Sequence, residues 1–186
     1  MNDAAEEVPT GESIRVAGVG KLTKAILTSI TAEGSVGALP TITLGFDGNG
    51  EANTESVTSD VAEYNIANME YVKLLTADTV GAYAQSATFN WEMPIEKLNK
   101  LGNSVESATS YGTPPGTASI SVEGTTDAGK TTAVQFGQWV FVLDADSEVS
   151  NVTNSMAVGD IGGTFNTTTE GVADGCLCNT IAALTD

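Results

Sequence analysis

Apolar and polar residues alternate over much of this chain. In "PTITLGFDGNGE", Ile42, Leu44 and Phe46 alternate with Thr41, Thr43 and Gly45, the two-residue period of a strand with one face buried. "DGNG" then predicts a turn. "TASISVEG" alternates through Ala118, Ile120 and Val122, and "TAVQFGQWVFVLD" reads as a long strand carrying Phe136, Trp139 and Phe141. "SIRVAG", Ser13 to Gly18, and "ATFNWEM", Ala87 to Met93, also read as strands. "KLTKAILTSITAEG" fits both periods: Leu22, Ala25, Ile26 and Ser29 suit a helix, while Ile26, Thr28 and Ile30 suit a strand. Its β-branched content tips the reading to strand.

Two segments predict helix. Over residues 60–75, Asp60 with Glu63 forms a capping box. Val61, Tyr64, Met69, Val72 and Leu75 then make an apolar stripe at helical spacing. Part of "ANMEYVKLL" also alternates, which leaves a strand open there. "PIEKLNKLG" has Pro94 at the favoured first helical position and Gly102 at its end. "YGTPPG" predicts a loop, and the Gly/Thr/Asn-rich stretch from Val149 to Gly175 predicts short strands and turns. This is not the strand–helix alternation of a parallel sheet. The expected fold is mainly β, a sandwich or barrel of antiparallel strands with one or two short α-helices. At 186 residues it reads as an acidic N-terminal arm, 1–12, and a single β-rich domain, 13–186.

Charge narrows the function. The chain has 24 acids and 7 bases, a net −17, and charged residues are only 17% of it, against the usual quarter. Thr, Ser, Asn, Gly and Ala fill the surface instead. Such short side chains lose little rotamer entropy when another protein covers them. Arg15, Lys21, Lys24, Lys73, Lys97, Lys100 and Lys130 form no stripe able to neutralise phosphates. Nucleic-acid binding and anionic membranes are therefore disfavoured. There is no histidine, which removes the commonest general base and metal ligand. No apolar run approaches the roughly 18 residues of a membrane helix. The acidic start lacks the basic and apolar pattern of a signal peptide, and the first Met favours a cytoplasmic origin.

Candidate chemistry is sparse. Gly124, Gly129, Lys130 and Thr131 fit the phosphate-binding loop pattern, with an acid-ended apolar strand, Trp139 to Asp144, after them. A working loop needs a helix behind it, yet "TTAVQFGQWVFVLD" alternates like a strand. The chain from Thr131 to Asp144 is too short for a helical crossover and a further strand. "GTTDAGKT" is therefore expected to be a hairpin turn, and neither catalysis nor a cofactor is expected. Asp47, Asn49 and Glu51 resemble the start of a calcium loop, but Ala52 and Thr58 occupy its glycine and bidentate-acid positions. Asp144, Asp146 and Glu148 are a second calcium candidate, weighed against a solvated strand end. Cys176 and Cys178 would share one face of a strand, as free thiols or as bonds between subunits.

The Thr/Ala/Gly-rich strands "TITLGF", "TASISVEG" and "AVQFGQWVFVLD", the expected helix "DVAEYNIANMEYVKLL" and the lysine-poor acidity together resemble bacteriophage virion proteins, especially tail-tube subunits. The resemblance implies a β-sandwich or barrel that forms rings, usually hexameric, stacked into a tube for DNA. Its partners would be copies of itself and other virion proteins, with DNA passing unbound and no membrane involved. Its place would be the virion, assembled in the host cytoplasm. Acids facing the lumen would repel phosphate, and neighbouring subunits would cover sheet edges in place of charge. Two alternatives are a capsid decoration protein and, in another class, a surface carbohydrate-binding or adhesin β-sandwich.

Overall fold

The computed structural model describes residues 12–16, 20–51, 72–77, 84–93, 95–98, 108–111, 116–156 and 163–178. For 12–16, 20–24, 49–51, 95–98, 108–111 and 175–178 it describes the backbone alone. Every regular element among them is a strand. In chain order these are β1 (Glu12–Val16), β2 (Gly20–Ser35), β3 (Thr41–Glu51), β4 (Val72–Ala77), β5 (Ala84–Glu92), β6 (Ile95–Leu98) and β7 (Ala108–Tyr111). There follow β8 (Thr117–Gly124), β9 (Thr131–Phe136), β10 (Trp139–Leu143), β11 (Glu148–Ser155), β12 (Thr164–Gly171) and β13 (Ala173–Cys178).

The strands form two main antiparallel sheets and the small pair β6–β7. A wide sheet runs β3-β2-β5-β8-β12-β11, with β1 beside β2. On that flank β2 is shared: its first residues, up to Ala25, pair with β1 and Ser29–Ser35 pair with β5. The narrow sheet runs β13-β10-β9-β4. The fold is thus mainly β and sandwich-like, as the alternation predicts.

The core lies between the sheets because the alternation delivers one apolar face from each. Ile30, Ala32, Ala87, Phe89, Ile120 and Val122 of the wide sheet pack with Val134, Phe136, Phe141 and Leu143 of the narrow one. Phe89 stacks on Phe141 with ring centroids 4.4 Å apart, and Phe136 meets Phe141 edge-on at 6.0 Å. Each such ring is worth roughly 1.5–3 kcal/mol of burial. Strand β9 is buried on both faces. Val134 and Phe136 face the core, while Ala133 and Gln135, on the opposite side, are also covered. The Gln135 amide is satisfied locally, Nε2 donating to Gly137 O at 2.6 Å.

Three expectations fail. The helix expected at 60–75 ends, in its described part, as strand: Val72, Leu74 and their neighbours pair with β9, and 60–71 lie outside the described residues. The helix expected from Pro94 is strand β6 over Ile95–Leu98, paired with Ala108–Tyr111. Both segments carry apolar spacing short enough to satisfy either period, and long-range pairing decides. The turn expected at "DGNG" is the continuation of β3, where Asp47 faces Ile26 and Glu51 faces Lys21. Irregular register at Thr23/Ile26 and Leu27/Ser29 lets this glycine-rich strand follow β2. Of the expected arm, 1–11 lie outside the described residues and Glu12 opens β1.

Candidate functional site

Both sequence-predicted motifs fall where the chain passes between the sheets. Strand β8 belongs to the wide sheet and β9 to the narrow one, so "GTTDAGKT" is not the expected hairpin. It is a crossing that folds back over β12. Gly124 pairs with Phe165. Thr167 Oγ1 donates to Asp127 Oδ1 at 2.6 Å, and the Gly129 amide donates to the same oxygen at 2.9 Å. The Thr131 amide then donates to Thr169 Oγ1 at 3.0 Å. This explains why Thr167 and Thr169 are buried: each binds the crossing. Gly129 turns with φ +64, a conformation glycine adopts without strain. The Thr167 hydroxyl first, then the Gly129 amide, hold the Asp127 carboxyl below its ordinary 3.8, against a small opposing effect of burial.

The arrangement bears on phosphate chemistry through its donors. The Gly129 amide is spent on a carboxylate and the Thr131 amide on a hydroxyl. A strand, and not a helix N-terminus, follows Thr131. Thr131 Oγ1 is buried without a hydrogen-bond partner, and Lys130 Nζ donates to Ala145 O at 2.9 Å. That bond brings the two motifs together, because Ala145 lies in the turn between Asp144 and Ser147 that returns the chain to the wide sheet. Ser147 closes this turn, Oγ donating to Asp144 O at 2.8 Å. The Val172 amide donates to Asp144 Oδ1 at 3.4 Å. A Cβ on Gly171 would collide with Ser147, so glycine lets β12 pass under the turn. Asp146 and Glu148 are exposed. Among the described residues no three acids or cysteines converge as metal ligands. Cys176 and Cys178 occupy the β13 positions opposite Phe141 and Trp139.

The outer face of the wide sheet is a chemically uniform surface. Its register aligns cross-strand rows. One row runs Thr41, Glu33, Thr88, Ser121, Thr168 and Asn151. The next runs Thr43, Thr31, Asn90, Ser119, Glu170 and Glu148. A third contains Ser35, Ser86, Glu123, Asn166 and Thr153. These positions carry hydroxyls, amides and the carboxylates of Glu33, Glu123, Glu148 and Glu170, with no lysine, arginine or apolar side chain. Ser121 and Thr168, neighbours in the first row, hydrogen-bond from strand to strand at 3.0 Å. The alternation marks these residues as outward-facing, but the sequence does not reveal that their rows align.

The margins of the same sheet are different. Leu44 and Phe46 on β3 pair with Ile30 and Leu27, and Val149 and Val152 on β11 pair with the buried Thr169 and Thr167. All four therefore lie on the inner face. Yet they are 46%, 40%, 39% and 47% exposed. Among the described residues the wide sheet extends past its narrower cover at both sides. Among the described residues β3 and β11 have no partner on their outer flanks, and neither strand contains a lysine.

Among the described residues no helix is long and apolar enough to cross a membrane. The chain matches no protein-family model, no curated protein and no solved structure.

Proposed function

We propose that this chain is a self-assembling structural subunit of a phage virion, most closely a tail-tube subunit. In this reading its wide sheets tile side by side and turn their hydroxyl-and-carboxylate face to passing DNA. The observation that carries the reading is that outer face. A conduit for a polyanion must not offer sites that release counter-ions from phosphate, and the three described rows of that face carry glutamates and no cation. Short Thr, Ser and Asn side chains keep it low and wettable. The open margins supply the complementary half. Long edge strands without lysine, carrying uncovered Leu, Phe and Val, invite pairing unless a neighbour occupies them.

Electron microscopy and mass photometry of the purified full chain test this. Rings or tubes that leave DNA unshifted at low salt are expected. Closed trimers would point to capsid decoration instead. A monodisperse monomer at high concentration would overturn the self-assembly reading, and one stabilised by calcium or by a sugar would favour a surface binding module.

A further inference from the structure

We infer that β11 is a releasable strand. It leaves the wide sheet as a unit while the β8–β12 pairing and the core stay folded, so β12 gains a second edge that is open part of the time. The inference stands apart from the self-assembly reading and needs no second copy.

Three observations set β11 apart. The first is burial. All eight residues of Glu148–Ser155 are exposed, so little apolar surface returns to water when the strand departs. The opposite margin differs, because β3 packs Ile42 against the core. The second is pairing. The register slips between Val149 and Asn151, and a bulge locally disrupts the ladder. Among the described residues one side-chain hydrogen bond ties β11 to β12, Ser150 Oγ donating to Thr168 O at a long 3.4 Å. The third is charge. Glu148 stands directly opposite Glu170, and like charges in that position are destabilising. Neither strand contains a lysine or arginine to offset them.

The neighbouring strand is held by other means. On its far side β12 pairs with β8 from Phe165 to Gly171 without a slip, and Ser121 bonds Thr168 across that pairing. Thr167 and Thr169 are buried and bind the crossing, through Asp127 and the Thr131 amide. Taking β11 away removes none of these bonds. The ends of β11 also differ. At its start Ser147 is buried and closes the turn on Asp144 O, and Lys130 holds Ala145 O. Past its end Met156 is 70% exposed. The strand is therefore anchored beside Glu148 and peels from Ser155.

Hydrogen exchange tests the release. Alternate residues of an interior antiparallel strand send their amides to opposite neighbours. Exchange measured residue by residue on the dilute wild-type chain therefore reads the two flanks of β12 separately. Amides directed at β11 should exchange at least about a hundredfold faster than those directed at β8, and fastest towards the Ser155 end. Glu148→Lys turns the repulsion into an attraction. It should slow exchange on the β11 side about two- to fivefold and leave the β8 side unchanged. Equal protection on the two flanks overturns the inference, since β11 would then open only with the whole domain. A folded Glu148→Lys chain that exchanges as fast as wild type on the β11 side counts against it as well. Should that variant fail to fold by circular dichroism, the comparison of flanks in the wild type still decides.

Discussion

At the middle of the wide sheet Phe89 is 1% exposed and stacked on Phe141; at its margin Phe46, on the same face, is 40% exposed. Both arise from the same alternation, and both point to the same side. The difference is cover: Phe89 lies under the narrow sheet, whereas β3 packs Ile42 partly against the core and leaves Leu44 and Phe46 exposed. Among the described residues burial is thus complete at the centre and partial at the edges. A residue's contribution to folding and its contribution to association should therefore separate along one surface.

The sharpest break is Phe141→Ala. It removes the ring that touches both Phe89 and Phe136 and should cost about 3–5 kcal/mol in denaturant unfolding. A loss under about 1 kcal/mol would mean the centre is not where stability resides. Gly171→Ala forces a methyl into Ser147 at a sheet crossing and should cost about 1–3 kcal/mol, read as a lower unfolding midpoint.

Asp127→Ala leaves the Thr167 hydroxyl and Gly129 amide without their acceptor and should cost about 1 kcal/mol. The same contact makes stability depend on pH. Because the folded carboxyl is held below 3.8, its contribution is full above that value and is lost as pH falls through the lower folded pKa. Asp127→Ala should therefore narrow the gap between unfolding midpoints at neutral pH and at acid pH. The smallest effect on folding belongs to the margins. Leu44→Ser with Val152→Ser should change unfolding by under about 0.5 kcal/mol yet abolish assembly seen by mass photometry. A loss comparable to that of Phe141→Ala would erase the distinction between centre and margin.

Period was the legible part of this fold. The alternation through Ile42–Phe46, Ala118–Val122 and Phe136–Phe141 marks strands and names much of the core. Where helix was expected and strand formed, at Val72–Leu75 and Ile95–Leu98, the partner strand decided, and no local signal carries that partner. The segment from Gly124 to Thr131 teaches the same point at the next level. Asp127 and Gly129 are turn residues in sequence and in structure, but turn chemistry does not say which sheet receives the following strand. The bonds from Thr167 to Asp127 and from Thr131 to Thr169 join residues far apart in the chain, so nothing near "DAGKT" announces them. The outer face was half legible. Thr, Ser and Glu at alternate positions face outward, but only register assembles them into the three aligned rows, which contain no cation.

The repeated change of sheet has a consequence for how the polypeptide is made. Strand β12 sits between β8 and β11, although β9 and β10, which belong to the other layer, are synthesised before it. Until Thr164–Gly171 emerges from the ribosome, one flank of β8 is bare and Asp127 has no Thr167 to hold it. Nascent chains would therefore carry an additional sticky border that the finished molecule lacks. Loop-closure entropy makes such distant pairings slow, so growth of any assembly must wait on folding, and rapid synthesis at high temperature should favour aggregates over ordered particles.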